Sequence, residues 1–157
     1  MFPTRILLAT DGSNEAVLAE DAAVDLSVST GSHLHVVHVV RTYFDLPYPR
    51  GSLRERNDAV LDQRKLRGLR LLEQRGRRIE DLGGVVVASH YREGNPEKEV
   101  LKLASELDAG LIVTGGQRRP WFERIFGAGF SEHVFKRAVR PVLVVTDREH
   151  EGSVLPR

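Results

Sequence analysis

Two short stretches hold the residue types that could do chemistry. The first is Ala9-Thr10-Asp11-Gly12-Ser13, which closes the apolar run RILLAT (5–10). A carboxylate at the end of a strand can accept hydrogen bonds from a ribose or hold a divalent metal. Asp-Gly-Ser equally makes an ordinary turn into a helix, with no ligand at all. The second stretch is Thr114-Gly115-Gly116-Gln117-Arg118, directly after Leu111-Ile112-Val113. Backbone N–H groups in a glycine turn, and at the start of the next helix, can meet an anion. This turn is not GxxxxGK[ST], and no lysine lies near to reach a terminal phosphate. It runs on instead through Arg118, Arg119, Pro120, Trp121, Phe122 and Arg124. Guanidiniums can clamp phosphates bidentately, but these can also pair with Glu123 or Glu132, or stand in solvent.

Other chemistries find less support. The six histidines show neither HExxH nor a clustered metal spacing. His33, His35 and His38 fall in one apolar run and read as structural or edge residues. No G-x-S-x-G elbow offers a hydrolase nucleophile, and an N-cap role accounts for Ser131. The absence of cysteine excludes disulfides, thiol catalysis and thiolate metal sites. Nothing in the residues argues for catalysis.

The elements that must position the two stretches follow from periodicity. Four apolar runs, RILLAT (5–10), HLHVVHVV (33–40), GVVVASHY (84–91) and GLIVTG (110–115), are joined by a fifth, PVLVVT (141–146). They are continuous rather than alternating, as expected of strands buried on both faces of a parallel sheet. Helical stripes lie between them. Ala16, Ala19 or Glu20, Ala23 and Leu26 form one face, with Ser13 or Asn14 as N-cap and Gly31 as the stop. A second helix is expected from near Leu53 to Ile79, with Leu61, Leu69, Leu72 and Ile79 on its stripe. Gly68 and Gly76 should weaken it by roughly 1 kcal/mol each. A third spans 95–107, with Asn95 as N-cap, Pro96 in the first turn, and Val100, Leu103, Ala104 and Leu107 inward. A fourth spans 131–139, burying Val134, Phe135 and Ala138. The order β-α-β-α-β-α-β-α-β predicts an α/β fold, an open parallel sheet with helices on both faces. Ligands in such sheets bind beyond the carboxyl ends of the strands, where strand order reverses. Both chemical stretches follow strand ends and should share that rim.

A chain of 157 residues fits one domain. Residues 41–57 read as a surface loop or flap, and 147–157 as a polar tail. With 41% hydrophobic and 29% charged residues and a net charge of +1, the composition is that of a soluble globular protein. It lacks the basic excess of a nucleic-acid binder. No apolar run suits a signal peptide or a membrane helix, so no membrane partner is expected and the cytoplasm is the expected compartment.

Taken in order, ILLATDGS, LHVVHVV, REGNPEKEVLKLASELDAGLIVTGG and FSEHVFKRAVRPVLVV resemble the universal stress protein family over roughly residues 4–146. The resemblance implies a Rossmann-like five-stranded parallel sheet of order 3-2-1-4-5. It also implies a homodimer formed through the last strand, here Pro141, Val142, Leu143, Val144 and Val145. An exposed apolar edge gives that pairing a physical reason too.

Many members bind ATP through G-x-x-G, nine residues, then G-[ST]. Laid on this chain without gaps from Ser131, Gly115 takes the first glycine position. Arg118 takes the second, Ala128 the third and Gly129, beside Phe130, the hydroxyl position. One position in four matches. Arg118 is the largest departure: it either blocks the phosphates or replaces backbone donors with a guanidinium. The adenosine side is better kept. Asp11 matches the family's ribose-contacting acid, Val39 the residue near the adenine, and Ala9, Thr10 and Thr114 would complete that pocket; Gly115-Gly116 favours a pocket as well.

Two readings result. One is a regulatory module binding ATP, AMP or a cyclic nucleotide weakly or in a modified mode, with Mg²⁺ reaching Asp11 only through the nucleotide. The other is a nucleotide-free homodimeric adaptor acting through an unidentified protein partner. ATP hydrolysis would need a positioned water and phosphate contacts that the sequence does not supply.

Overall fold

The computed structural model describes residues 2–41, 54–116 and 138–146, with side chains from residue 60 onward in the second of these segments. Most of the expected flap, the span 117–137 and the tail lie outside them. So do the site residues Arg118, Ala128, Gly129, Phe130 and Ser131, and most of the expected fourth helix. Residues 138–140 are not helical, and Ala138 is only half-buried.

The described elements are β1 (Arg5–Ala9), α1 (Asn14–Thr30), β2 (His33–Val40), α2 (Arg54–Asp81), β3 (Val86–Glu93), α3 (Pro96–Glu106), β4 (Leu111–Gly116) and β5 (Val142–Thr146). The five strands form one parallel sheet in the order β3-β2-β1-β4-β5. Alternate residues of each inner strand feed opposite cores, which is why their sequences are mostly apolar without a polar alternation. Ile6, Leu8, Leu34, Val36 and Val113 pack with Ala19, Ala23 and Val24 of α1 and Leu72 and Ile79 of α2. Leu7, Val37 and Ile112 pack with Val100, Leu103 and Ala104 of α3 on the other face.

The helix ends are set by local chemistry. The Ser13 hydroxyl accepts the Ala16 N–H at 3.2 Å, and Gly31 closes α1 in the left-handed region at φ 64°. Only a residue without a Cβ adopts that conformation cheaply. The Asn95 side chain caps α3 by accepting the Lys98 N–H at 3.1 Å, with Pro96 in the first turn.

Two expectations are corrected. The third strand starts at Val86 rather than residue 84 and continues to Glu93. Val85, just before it, is 72% exposed and Val87 is 52% exposed, so apolar composition there does not mark burial. On α2, Leu69 is exposed and Gly68 occupies the inward position. A Cβ on Gly68 would lie 2.8 Å from Cε2 of Tyr91 and 3.0 Å from Cδ2 of His38. This glycine is what lets the helix settle onto β2 and β3.

Candidate functional site at the carboxyl rim of the sheet

Strand order reverses between β1 and β4, and a cleft opens at that point. Ala9, Thr10 and Asp11 at the end of β1 form one side, Thr114 and Gly115 of β4 the other. Val37 and Val39 of β2, Pro96 and Val100 of α3, and Ala16 of α1 complete it. The structure therefore brings together Ala9, Thr10, Asp11, Val39, Thr114 and Gly115 of the expected set. Gly116 lies next along β4 and is turned toward β5, where a Cβ would run into the Val144 side chain. The described walls enclose about 50 Å³.

Several of these groups are already engaged. One Asp11 carboxylate oxygen accepts the Ser13 N–H at 2.9 Å, the turn-forming role of an Asx residue. The Thr10 hydroxyl accepts the Gly12 N–H at 3.3 Å and donates to Glu20 at 3.4 Å. The Thr10 N–H donates to the Val37 carbonyl at 2.9 Å. Gly115 has a packing reason of its own: a Cβ there would sit 2.5 Å from the Glu15 carbonyl carbon and 2.8 Å from the Ala16 nitrogen. The first turn of α1 rests directly on this glycine.

Beneath the rim lies a network that the sequence patterns did not single out. Glu20 is fully buried, with Arg78 at 3.1 Å and Arg75 at 3.6 Å. Arg78 also reaches Asp21 at 2.7 Å. Burial raises the Glu20 pKa, partly offset by the two guanidiniums and the Thr10 hydroxyl. The Arg78 pKa is raised chiefly by its hydrogen bond to Asp21. The one visible clue was a charged residue on the otherwise small, apolar stripe of α1.

The histidines have separate positions. Nδ1 of His38 lies 2.9 Å from the Thr10 carbonyl. A carbonyl only accepts, so the proton is on Nδ1 and the ring is held against the end of β1. His35 and His90 stack with ring centroids 5.5 Å apart and ring nitrogens at 3.2 Å. Burial lowers both pKa values, and the neighbouring His90 lowers that of His35 further. Tyr91 donates to Glu93 at 2.9 Å, and burial pushes its pKa up to about 12. Among the described residues no group of three or more His, Asp or Glu side chains is arranged to hold a metal.

A second, wider cleft lies on the opposite side of β2. His38 and Val40 line it from the sheet, Asp11 from the rim, and α2 contributes Arg64, Arg67, Gly68, Arg70, Leu71 and Gln74. It encloses about 450 Å³.

The whole span from residue 3 to residue 146 matches the universal stress protein family. The chain belongs to that family. A universal stress protein of Bacillus subtilis is 28% identical over 149 residues, covering 90% of this chain and 97% of the relative. Among solved structures, the universal stress protein UspA of Lactobacillus plantarum shares the fold with a TM-score of 0.75. It is 21% identical and covers 92% of this chain and 99% of its own. A universal stress protein from Archaeoglobus fulgidus, solved in complex with dAMP, has a TM-score of 0.62 at 20% identity, over 92% and 99% of the two chains. The strand order in this universal stress protein is the one its sequence resemblance implied. No described helix is long and apolar enough to cross a membrane.

Proposed function

We propose that this chain is a regulatory module that holds an adenine nucleotide at the carboxyl rim of its sheet. The observation that carries this reading is the cleft at the strand-order reversal, with the exposed carboxylate of Asp11 at its mouth and Val37 and Val39 inside. Open parallel sheets take ligands at that point. An apolar wall beside an acid suits a base and a ribose. The related Archaeoglobus structure with dAMP supports the same ligand class. The other Asp11 oxygen is the one left to meet a ribose hydroxyl, or a Mg²⁺ ion brought in by the nucleotide.

The adaptor reading keeps a specific observation on its side. The described walls enclose little space, and Gly115 and one Asp11 oxygen are fully explained by packing and the turn. Calorimetric titration with ATP, AMP and cyclic AMP, with and without Mg²⁺, separates the two. Binding that disappears in Asp11→Ala at unchanged melting temperature supports the nucleotide module. Absence of heat, with no melting shift at millimolar ligand, supports the adaptor.

Both readings involve a second copy of the chain on β5. Among the described strands it pairs only with β4, and it leaves Leu143 37% and Val144 39% exposed. An apolar parallel edge is a template for further pairing. Light scattering should return twice the 17.6 kDa chain mass; a monomer at micromolar concentration would remove this part of the proposal.

A further inference from the structure

We propose that the cleft between α2 and the end of β2 is a binding site for a di- or triphosphate group, with Arg67 and Arg70 as its principal donors. Its volume, about 450 Å³, lies within the range of small-molecule sites. Arg67 and Arg70 stand three residues apart, so both look out from the same side of the helix. Both are exposed, and neither forms an ion pair with a carboxylate among the described residues. The arginines one to two turns further on all have acids: Arg75 and Arg78 meet Glu20, and Arg77 meets Glu73. From Gln63 to Leu72 the helix carries Arg64, Lys65, Arg67 and Arg70 with no Asp or Glu. Two guanidiniums in a concave wall, those of Arg67 and Arg70, without a carboxylate partner among the described residues, are what a multiply charged phosphate recognises.

The floor of this cleft is fixed. The His38 ring is tied to the Thr10 carbonyl, and buried Gly68 lets the helix approach it closely. The cationic wall therefore keeps its distance from β2 without help from a ligand. Asp11 opposes an anion here, whereas at the neighbouring rim it serves a ribose. Its removal must affect the two clefts in opposite senses.

The phosphate group can come from two sources, an inorganic polyphosphate or the tail of a nucleotide. Titration of the full chain with inorganic tripolyphosphate, adenosine and ATP distinguishes them, repeated on Arg67→Gln/Arg70→Gln and on Asp11→Ala. The expected result is tripolyphosphate binding that falls at least ten-fold in the double variant. The same binding should hold or strengthen in Asp11→Ala and weaken steeply with salt. If the double variant also weakens ATP but not adenosine, the site takes the nucleotide's tail. If ATP is unaffected, the site takes the inorganic ion. The proposal is overturned if tripolyphosphate fails to bind, or binds the double variant equally well. It is also overturned if only an oligonucleotide binds in an arginine-dependent way. Both arginines are exposed, so an unchanged melting temperature should confirm that the double variant is folded. Loss of adenosine binding in Asp11→Ala, or its absence from the native chain, bears on the rim alone and leaves this outcome readable.

Discussion

Two consecutive stretches of α2, 63–72 and 73–81, carry similar residues and use them differently. In the later stretch, Arg75 and Arg78 close over the buried Glu20 of α1, and Arg77 pairs with Glu73 one turn back. In the earlier stretch, Arg67 and Arg70 line an open cleft with no acid on their part of the helix. Each stretch also has a glycine. Gly68 is pressed against Tyr91 and His38, while a Cβ on Gly76 would meet nothing within 4 Å. The later stretch holds the fold together. The other is pressed close to the sheet yet leaves its cations facing outward.

This contrast can be broken one change at a time. The largest effect should come from Glu20→Gln, which leaves two guanidiniums facing a neutral amide. The loss should be roughly 2–3 kcal/mol, read as a shift in the urea midpoint. A loss below about 0.5 kcal/mol would mean that the network is not structural. Next is Gly68→Ala. An alanine in a helix normally gains up to about 1 kcal/mol, but here the methyl group meets two rings. Tyr91 is fixed by Glu93 and His38 by Thr10, so neither ring yields freely. Overpacking of about 1–3 kcal/mol should outweigh the gain and leave a net loss of roughly 1 kcal/mol. Gly76→Ala should have the opposite sign, a stabilisation of about 0.5–1 kcal/mol. Thermal melts of the two glycine variants side by side test both; equal shifts would erase the distinction between the two stretches. The smallest change should be Arg67→Gln alone, within about 0.5 kcal/mol of the native chain.

The fold was legible because its signals are local. Continuous apolar runs marked four of the strands within one residue of their ends. Ser13, Asn95 and Gly31 announced the helix ends by chemistry that needs only their own neighbours. The errors came where burial depends on something distant. Val85 and Val87 read as interior but stand at the edge of the sheet, because among the described strands β3 has a neighbour on one side only. Leu69 read as part of an inward stripe, but close approach to β2 requires the inward position to be a glycine. At the rim, Asp11, Val39 and Thr114 were recognisable as candidates, and the sheet does place them together. Glu20 was visible on the stripe of α1, but its partner Arg78 lies 58 residues further along. The cationic cleft was illegible for the same reason. An arginine on a helix reads as a solvated face until tertiary structure shows what lies opposite.

The contact between Gly115 and the start of α1 sets a dimension. No side chain separates strand from helix there, and the spacing leaves no room even for a Cβ between Gly115 and the Glu15–Ala16 backbone. The opening between β1 and β4 thus has one wall whose position is fixed by contact rather than by adjustable packing. A ligand cannot gain room by pushing α1 toward β4. It must fit the aperture as it stands, or displace helix and strand as one piece. Because β4 is bonded along its length to β5, such a displacement would be felt at the outer edge of the sheet.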